Sequence, residues 1–243
     1  MAASPPVALV TGGNKGIGRA IVTGLARAGF TVLLGARDAG RGQATASELA
    51  TAGEVGFVQL DVTAQRDVDA AAERLATEFG KLDVLVNNAG IHAPDRDDAG
   101  FPAPSAESAE IVALVYETNV FGVIRVTNAL LPLLRRAPAG RIVNVTSKRG
   151  SLGEPGAWEG RSQMSYSSSK TALNAITVHY ARELADSPIK INGAAPGHVA
   201  TEFNNHRGRL TPEQGAEVVL WLAQLGPDGP NGQVFENRTA LAW

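Results

Sequence analysis

Short, almost continuously apolar runs alternate along the chain with longer stretches in which apolar residues recur every three or four positions. The short runs lie at residues 7–10, 31–36, 56–60, 82–86, 141–146, 189–194 and 232–235. They are too short for helices and suit strands covered on both faces of a parallel sheet. The longer runs predict helices over 16–28, 40–52, 64–79, 105–134 (in two pieces), 162–185 and 211–225. In the first of these, Ile17, Ala20, Ile21, Gly24, Leu25 and Ala28 share a face, and Gly29 stops it. Pro132 is expected to end or kink the second piece of the fourth helical region. Alternation of this kind predicts an α/β fold, a doubly wound parallel sheet of about seven strands with helices on both faces. No linker or internal repeat interrupts it, so residues 1–243 read as a single domain.

Three segments fit no regular element: 91–104, rich in Pro, Gly and Asp, 148–162, and 197–210. In an open α/β sheet, the loops leaving the carboxyl ends of strands line the ligand crevice. The last two follow predicted strands directly and are expected to form the substrate walls and lid. Few residues follow the last predicted strand, which suggests an open pocket.

Composition narrows the function classes. A hydrophobic content of 44% supports a sizeable core, and the net charge of −2 argues against nucleic-acid or membrane-surface partners. With no cysteine there is no disulfide framework, thiolate metal site or thiol nucleophile. His92, His179, His198 and His206 are scattered without metal-ligand spacing, so no metal is expected. Residues 1–6 lack the basic region and apolar core of a signal peptide, and no apolar run reaches membrane length. A cytoplasmic location is the expectation.

Chemistry enters with the turn Thr11-Gly12-Gly13-Asn14-Lys15-Gly16-Ile17-Gly18, set between a buried strand and an amphipathic helix. Glycines let the backbone approach a pyrophosphate, and a helix N-terminus directs free N–H groups and its dipole at the anion. Far along the chain, Tyr166 and Lys170 stand one helical turn apart and so share a face. A free phenol, with a pKa near ~10, exchanges protons poorly at neutral pH, and a fixed neighbouring cation favours its ionised form.

Taken in order, Thr11-Gly-x-x-x-Gly16-x-Gly18, Asn87-Asn88-Ala89-Gly90, Asn119, Ser147, Tyr166-x-x-x-Lys170 and Pro196-Gly197 resemble the motifs of the short-chain dehydrogenase/reductase family over nearly the whole chain, closest in pattern to NADPH-dependent carbonyl reductases. The resemblance implies a Rossmann-type domain and hydride transfer between a nicotinamide cofactor and a small carbonyl or alcohol. It assigns Tyr166 as general acid, Lys170 as the cation that holds the nicotinamide ribose and depresses the tyrosine pKa, and Ser147 as the donor to the substrate oxygen. Asn119 would kink its helix and hold a water linked to Lys170. On the cofactor side it points to Gly12, Asn14, Lys15, Gly16, Ile17, Gly18, Asp61, Val62, Asn87, Ala89, Gly90, Pro196, Gly197, Val199 and Thr201, with Asn88 serving the sheet alone.

The position that is acidic in NAD-preferring members looks like Ala36, followed by Arg37. Arg37 presents a planar fork suited to a 2′-phosphate, and Lys15 resembles the second basic residue of NADP-preferring members, so NADPH/NADP+ is the expected cofactor. Asp38 reads as the cap of the next helix. For the substrate, His92, Trp158, His198 and Phe203 are candidate contacts, whereas His179 reads as packing or solvent-facing and Trp221 as core. Tyr166 follows Ser147 by 19 positions, longer than most members and similar to a shortened form of the carbonyl-reductase loop. That insertion bears on loop geometry and on whether the chain forms a homodimer or homotetramer. The expected function is NADPH-dependent reduction of an aldehyde or ketone. Oxidation of a secondary alcohol with NADP and dinucleotide sensing without turnover are the alternatives.

Overall fold

The computed structural model describes residues 4–93, 102–157, 159–160 and 162–243. Its strands are β1 (Val7–Thr11), β2 (Thr31–Ala36), β3 (Val55–Gln59), β4 (Val84–Asn87), β5 (Arg141–Val145), β6 (Lys190–Ala194), β7 (Val234–Glu236) and β8 (Thr239–Ala240). The helices are α1 (Gly16–Arg27), α2 (Ala39–Leu49), α3 (Gln65–Glu78), α4 (Ala109–Tyr116), α5 (Gly122–Leu134), α6 (Met164–Glu183) and α7 (Pro212–Ala223). The sheet order is β3-β2-β1-β4-β5-β6-β7-β8, parallel except for the last pair. Between β1 and β4 the order reverses direction, and there the crevice of a doubly wound sheet opens.

Alternation along each strand divides the core in two. Ala8 and Val10 of β1, with Val32, Leu34, Val143 and Val145, meet Ile21 and Leu25 of α1 and Val219 and Leu222 of α7. Val7 and Leu9, with Leu33, Leu85, Ile142 and Ile191, meet Leu75 of α3, Leu130 and Leu134 of α5, and Ala181 of α6. Both faces of the sheet are thus covered, as the unbroken apolar runs require. Trp221 joins the first core and packs edge-on against Phe235, with centroids 5.0 Å apart, while His179 is exposed.

Three details depart from the pattern-based expectation. An eighth strand, Thr239–Ala240, folds back antiparallel on β7, because the turn residues Asn237 and Arg238 take left-handed φ of 46° and 64°. The tail then docks on the loop after β5: Ser151 Oγ donates to the Ala242 carbonyl (2.6 Å), and Ala242 N–H donates to Glu154 (3.3 Å). Pro132 is accommodated inside α5, which continues to Leu134 before ending, so the proline marks the last turn and not the stop. Between α4 and α5 the backbone widens to π geometry over Glu117–Phe121, around the fully buried Asn119.

A polar ladder crosses the second core. Asn87 donates to Thr127 Oγ1 (3.1 Å) and to Asn144 Oδ1 (2.9 Å), and Asn144 donates to Thr177 Oγ1 (2.9 Å). It links β4, β5, α5 and α6 through groups shut off from water. Removing one rung leaves buried donors without partners, which costs more than the bond itself contributes. Asn144→Ala is expected to lower stability by about 2–4 kcal/mol, read as a shift of the urea midpoint at unchanged slope. A shift within experimental error would mean that the ladder is not a stability element.

Candidate active site

The glycine turn takes its shape from steric necessity. Gly12 has φ +62°, and a Cβ on Gly18 would lie 2.2 Å from the Gly12 carbonyl oxygen and 2.5 Å from Asn88 Nδ2. Asn88 Nδ2 donates to the carbonyls of Thr11 (2.9 Å) and Gly12 (3.0 Å), and Thr11 Oγ1 accepts from the N–H groups of Asn88 and Ala89, both at 3.0 Å. Those bonds clamp the turn after β1 to the segment after β4. Lys15, the residue before α1, makes no side-chain cap to it, and Gly16, Ile17 and Gly18 of its first turn border the crevice, where a helix N-terminus receives an anion.

A cavity of about 770 Å³ runs from this turn along the carboxyl edge of the sheet. Gly12, Asn14, Lys15, Gly16, Ile17 and Gly18 border one end, and Arg37, Asp61, Val62, Ala89 and Gly90 border it beside them. Asp38 accepts from Arg41 N–H (2.9 Å) as the cap of α2 and does not border the cavity. The exposed cations Lys15 and Arg37 both reach this end, which suits a phosphate-bearing adenosine ribose. Asp61 is oriented by Thr63, accepting from its N–H (2.9 Å) and hydroxyl (2.7 Å). Asn87, expected beside the adenosine, lies off the cavity with its amide in the core ladder. Asn88, expected to serve the sheet alone, borders it instead.

At the other end stand Ser147, Tyr166 and Lys170, with Pro196, Gly197, Val199 and Thr201 on the facing loop. Ser147 Oγ accepts from the Arg149 N–H (3.2 Å) and stands near enough to the Tyr166 phenol to favour its ionised form. Lys170 is only 4% exposed; its Nζ donates to the Val145 carbonyl (2.7 Å) and lies 5.7 Å from the Tyr166 ring centroid. Asn119 does not reach the cavity wall. Its amide holds Ile91, accepting from the N–H and donating to the carbonyl, both at 2.8 Å, and donates to Ser169 Oγ (3.0 Å) on α6.

Burial pushes the Tyr166 pKa up, opposed by Ser147 and by the positive charge of Arg149. Burial also lowers Lys170 from 10.5 to about 8. Taking both groups out of water favours the neutral form of each.

Two residues at this site escaped sequence reasoning. Arg149, two positions after Ser147 in the loop marked as a substrate wall, borders the cavity and donates to the Glu159 carbonyl (3.3 Å). Glu107 accepts from the N–H (3.1 Å) and hydroxyl of Ser165, satisfying the start of α6 beside Tyr166. The first had a signal, a cation in that loop; the second had none, because the contact joins residues far apart in the chain. Of the candidate substrate contacts, His92, His198 and Phe203 border the cavity, and Trp158 lies outside the described residues.

A family model for short chain dehydrogenases matches residues 6–210. The chain belongs to that family. It is 34% identical to carbonyl reductase (NADPH) 1 of Mus musculus over 290 aligned positions covering all of both chains, and 36% identical to the Sus scrofa protein of the same name, covering all of this chain and 96% of the other. Among solved structures, salutaridine reductase from Papaver somniferum superposes with a TM-score of 0.84 at 31% identity, over 95% of this chain and 99% of that one. The NADPH-bound carbonyl reductase from chicken fatty liver gives 0.87 at 25% identity, over 99% and 100%. Among the described residues, no helix is long and apolar enough to cross a membrane.

The Lys170 shift has a measurable sign. With a folded-state pKa near 8 and an ordinary value of 10.5, the folded chain releases this proton first as pH rises. The unfolded state then binds more protons between these values, so the Lys170 contribution to stability grows with pH over that window. Unfolding free energy of the unaltered protein minus that of Lys170→Met is expected to increase by about 2 kcal/mol from pH 8 to 10. A flat difference would place the ammonium in a solvated environment.

Proposed function

We propose that the protein reduces an aldehyde or ketone to the alcohol with NADPH, and that Tyr166 is the general acid. The observation that carries this reading is that Ser147, Tyr166 and Lys170 line one cavity with the glycine turn, at the carboxyl edge of the sheet. NADPH, when bound, supplies the hydride to the carbonyl carbon. The glycine turn and the α1 N-terminus receive the pyrophosphate, with Lys15 and Arg37 for the 2′-phosphate. Thr201, 6% exposed on the facing loop, is the candidate contact for the nicotinamide amide.

Ser147 orients the carbonyl oxygen by hydrogen bonding, and the Tyr166 hydroxyl gives its proton to that oxygen as negative charge develops there. The raised phenol pKa suits an acid that must hold its proton until the hydride arrives. Lys170 at about 8 stays largely protonated near neutral pH and offers its ammonium at the base of the pocket. The resemblance to named carbonyl reductases supports reduction over alcohol oxidation. The intact Asn119, Ser147, Tyr166 and Lys170 set supports turnover over dinucleotide sensing.

Tyr166→Phe is expected to bind NADPH as the unaltered protein does, followed by fluorescence titration, while kcat/KM for a carbonyl falls by about 10²–10⁴-fold. Substantial turnover in that variant would remove the acid assignment. Arg37→Asp should raise KM for NADPH by about tenfold or more while changing that for NADH little. An unaltered cofactor preference would mean that the 2′-phosphate is read elsewhere.

A further inference from the structure

Two loops that leave the carboxyl edge of the sheet at different strands meet over the Tyr166 ring. His92, in the loop after β4, sets Nε2 2.8 Å from the carbonyl oxygen of Phe203 and Nδ1 2.7 Å from that of Ala93. Its ring also meets Phe203 edge-on, with centroids 4.7 Å apart and planes at 77°. Phe203, in the loop after β6, lies 5.6 Å from the Tyr166 ring at 56°. One side chain therefore reaches across the mouth of the cavity and seizes both the backbone and the ring of the residue that covers the phenol.

The turn that carries Phe203 is built to hold a shape. Thr201 N–H donates to Asn204 Oδ1 (3.2 Å), Asn204 Nδ2 donates to the Val199 carbonyl (2.8 Å), and Asn205 and His206 follow with φ of 53° and 57°. These bonds are internal to the loop after β6 and do not fix where that loop sits relative to β4. His92 supplies such a link. Phe203 remains 39% exposed, so its ring leans on the phenol without being packed into the core. An aromatic ring beside the proton donor limits the bulk that a carbonyl can carry on that side.

We propose that His92 is a positioning residue that holds Phe203 against Tyr166, and that Phe203 so held sets how large a group is accepted beside the carbonyl carbon. The inference rests on the carbonyl-reduction reading for its substrate half, whereas the bracket between the loops stands on geometry alone. Three variants separate its parts. Phe203→Ala removes the wall. His92→Phe keeps an aromatic edge but no N–H, and His92→Gln restores an N–H donor.

The test is kcat and KM of the full chain with NADPH, using phenyl methyl ketone against phenyl tert-butyl ketone. Phe203→Ala is expected to shift the kcat/KM ratio toward the bulky ketone by about tenfold or more, with KM for NADPH unchanged. His92→Phe should shift it the same way by a smaller factor, and His92→Gln should recover most of the original ratio. In parallel, hydrogen exchange at the amides of residues 203–206 should quicken in His92→Phe and be restored in His92→Gln. An unchanged ratio in Phe203→Ala overturns the wall, and a His92→Phe protein indistinguishable from the original in both ratio and exchange overturns the bracket. If the unaltered protein reduces neither these ketones nor other carbonyls, the carbonyl-reduction reading falls with the substrate half, and exchange alone then decides the bracket.

Discussion

Everything at this site depends on β1 and β4 being neighbours whose chains depart in opposite directions. A crevice opens where the sheet order reverses, and it must be held open without letting the two turns drift. Asn88 and Thr11 do this with four hydrogen bonds between them and their neighbours. The bonds consume the carbonyls of Thr11 and Gly12, and the first turn of α1 borders the cavity. Gly18 belongs to the same constraint, since a side chain there would collide with both the Gly12 carbonyl and the Asn88 amide. The anion-receiving end is thus defined by one clamp and one missing methyl group.

At the reacting end, α6 carries two ionisable groups into a dry region, and the surrounding structure compensates only in part. Lys170 finds a carbonyl at the end of β5, Tyr166 finds the Ser147 hydroxyl, and Glu107 and Asn119 fasten the same turn of helix through Ser165 and Ser169. Burial still moves both pKa values toward neutrality of the group, which is the direction that keeps a proton on the phenol. The flanking bonds from Glu107 and Asn119 hold this turn of α6 in place beside the cavity. Arg149 adds a positive charge from the wall loop, tying that loop to the chemistry as well as to the shape of the pocket.

The loops obey a different logic from the sheet. The tail beyond β7 is seated on Ser151 and Glu154, Glu154 also lies 3.8 Å from Lys148, and the turn around Phe203 is braced by Thr201 and Asn204. Loops that would otherwise be free are each fastened by a few polar contacts to another part of the molecule.

The order of elements, the two-sided sheet and the glycine turn were legible from the chain because each rests on local rules. These are apolar periodicity, strand and helix length, and the backbone freedom that a close turn demands. Tyr166 and Lys170 were legible for the same reason, since one helical turn forces them onto a common face. Tertiary structure alone decided that Asn87, the last residue of β4, turns its amide into the core while Asn88, just past the strand, borders the crevice. It also decided the sign of the tyrosine shift, because desolvation depends on what packs above the helix and not on what precedes it in sequence. The Glu107 contact and the meeting of His92 with Phe203 join segments remote along the chain. No local pattern encodes them.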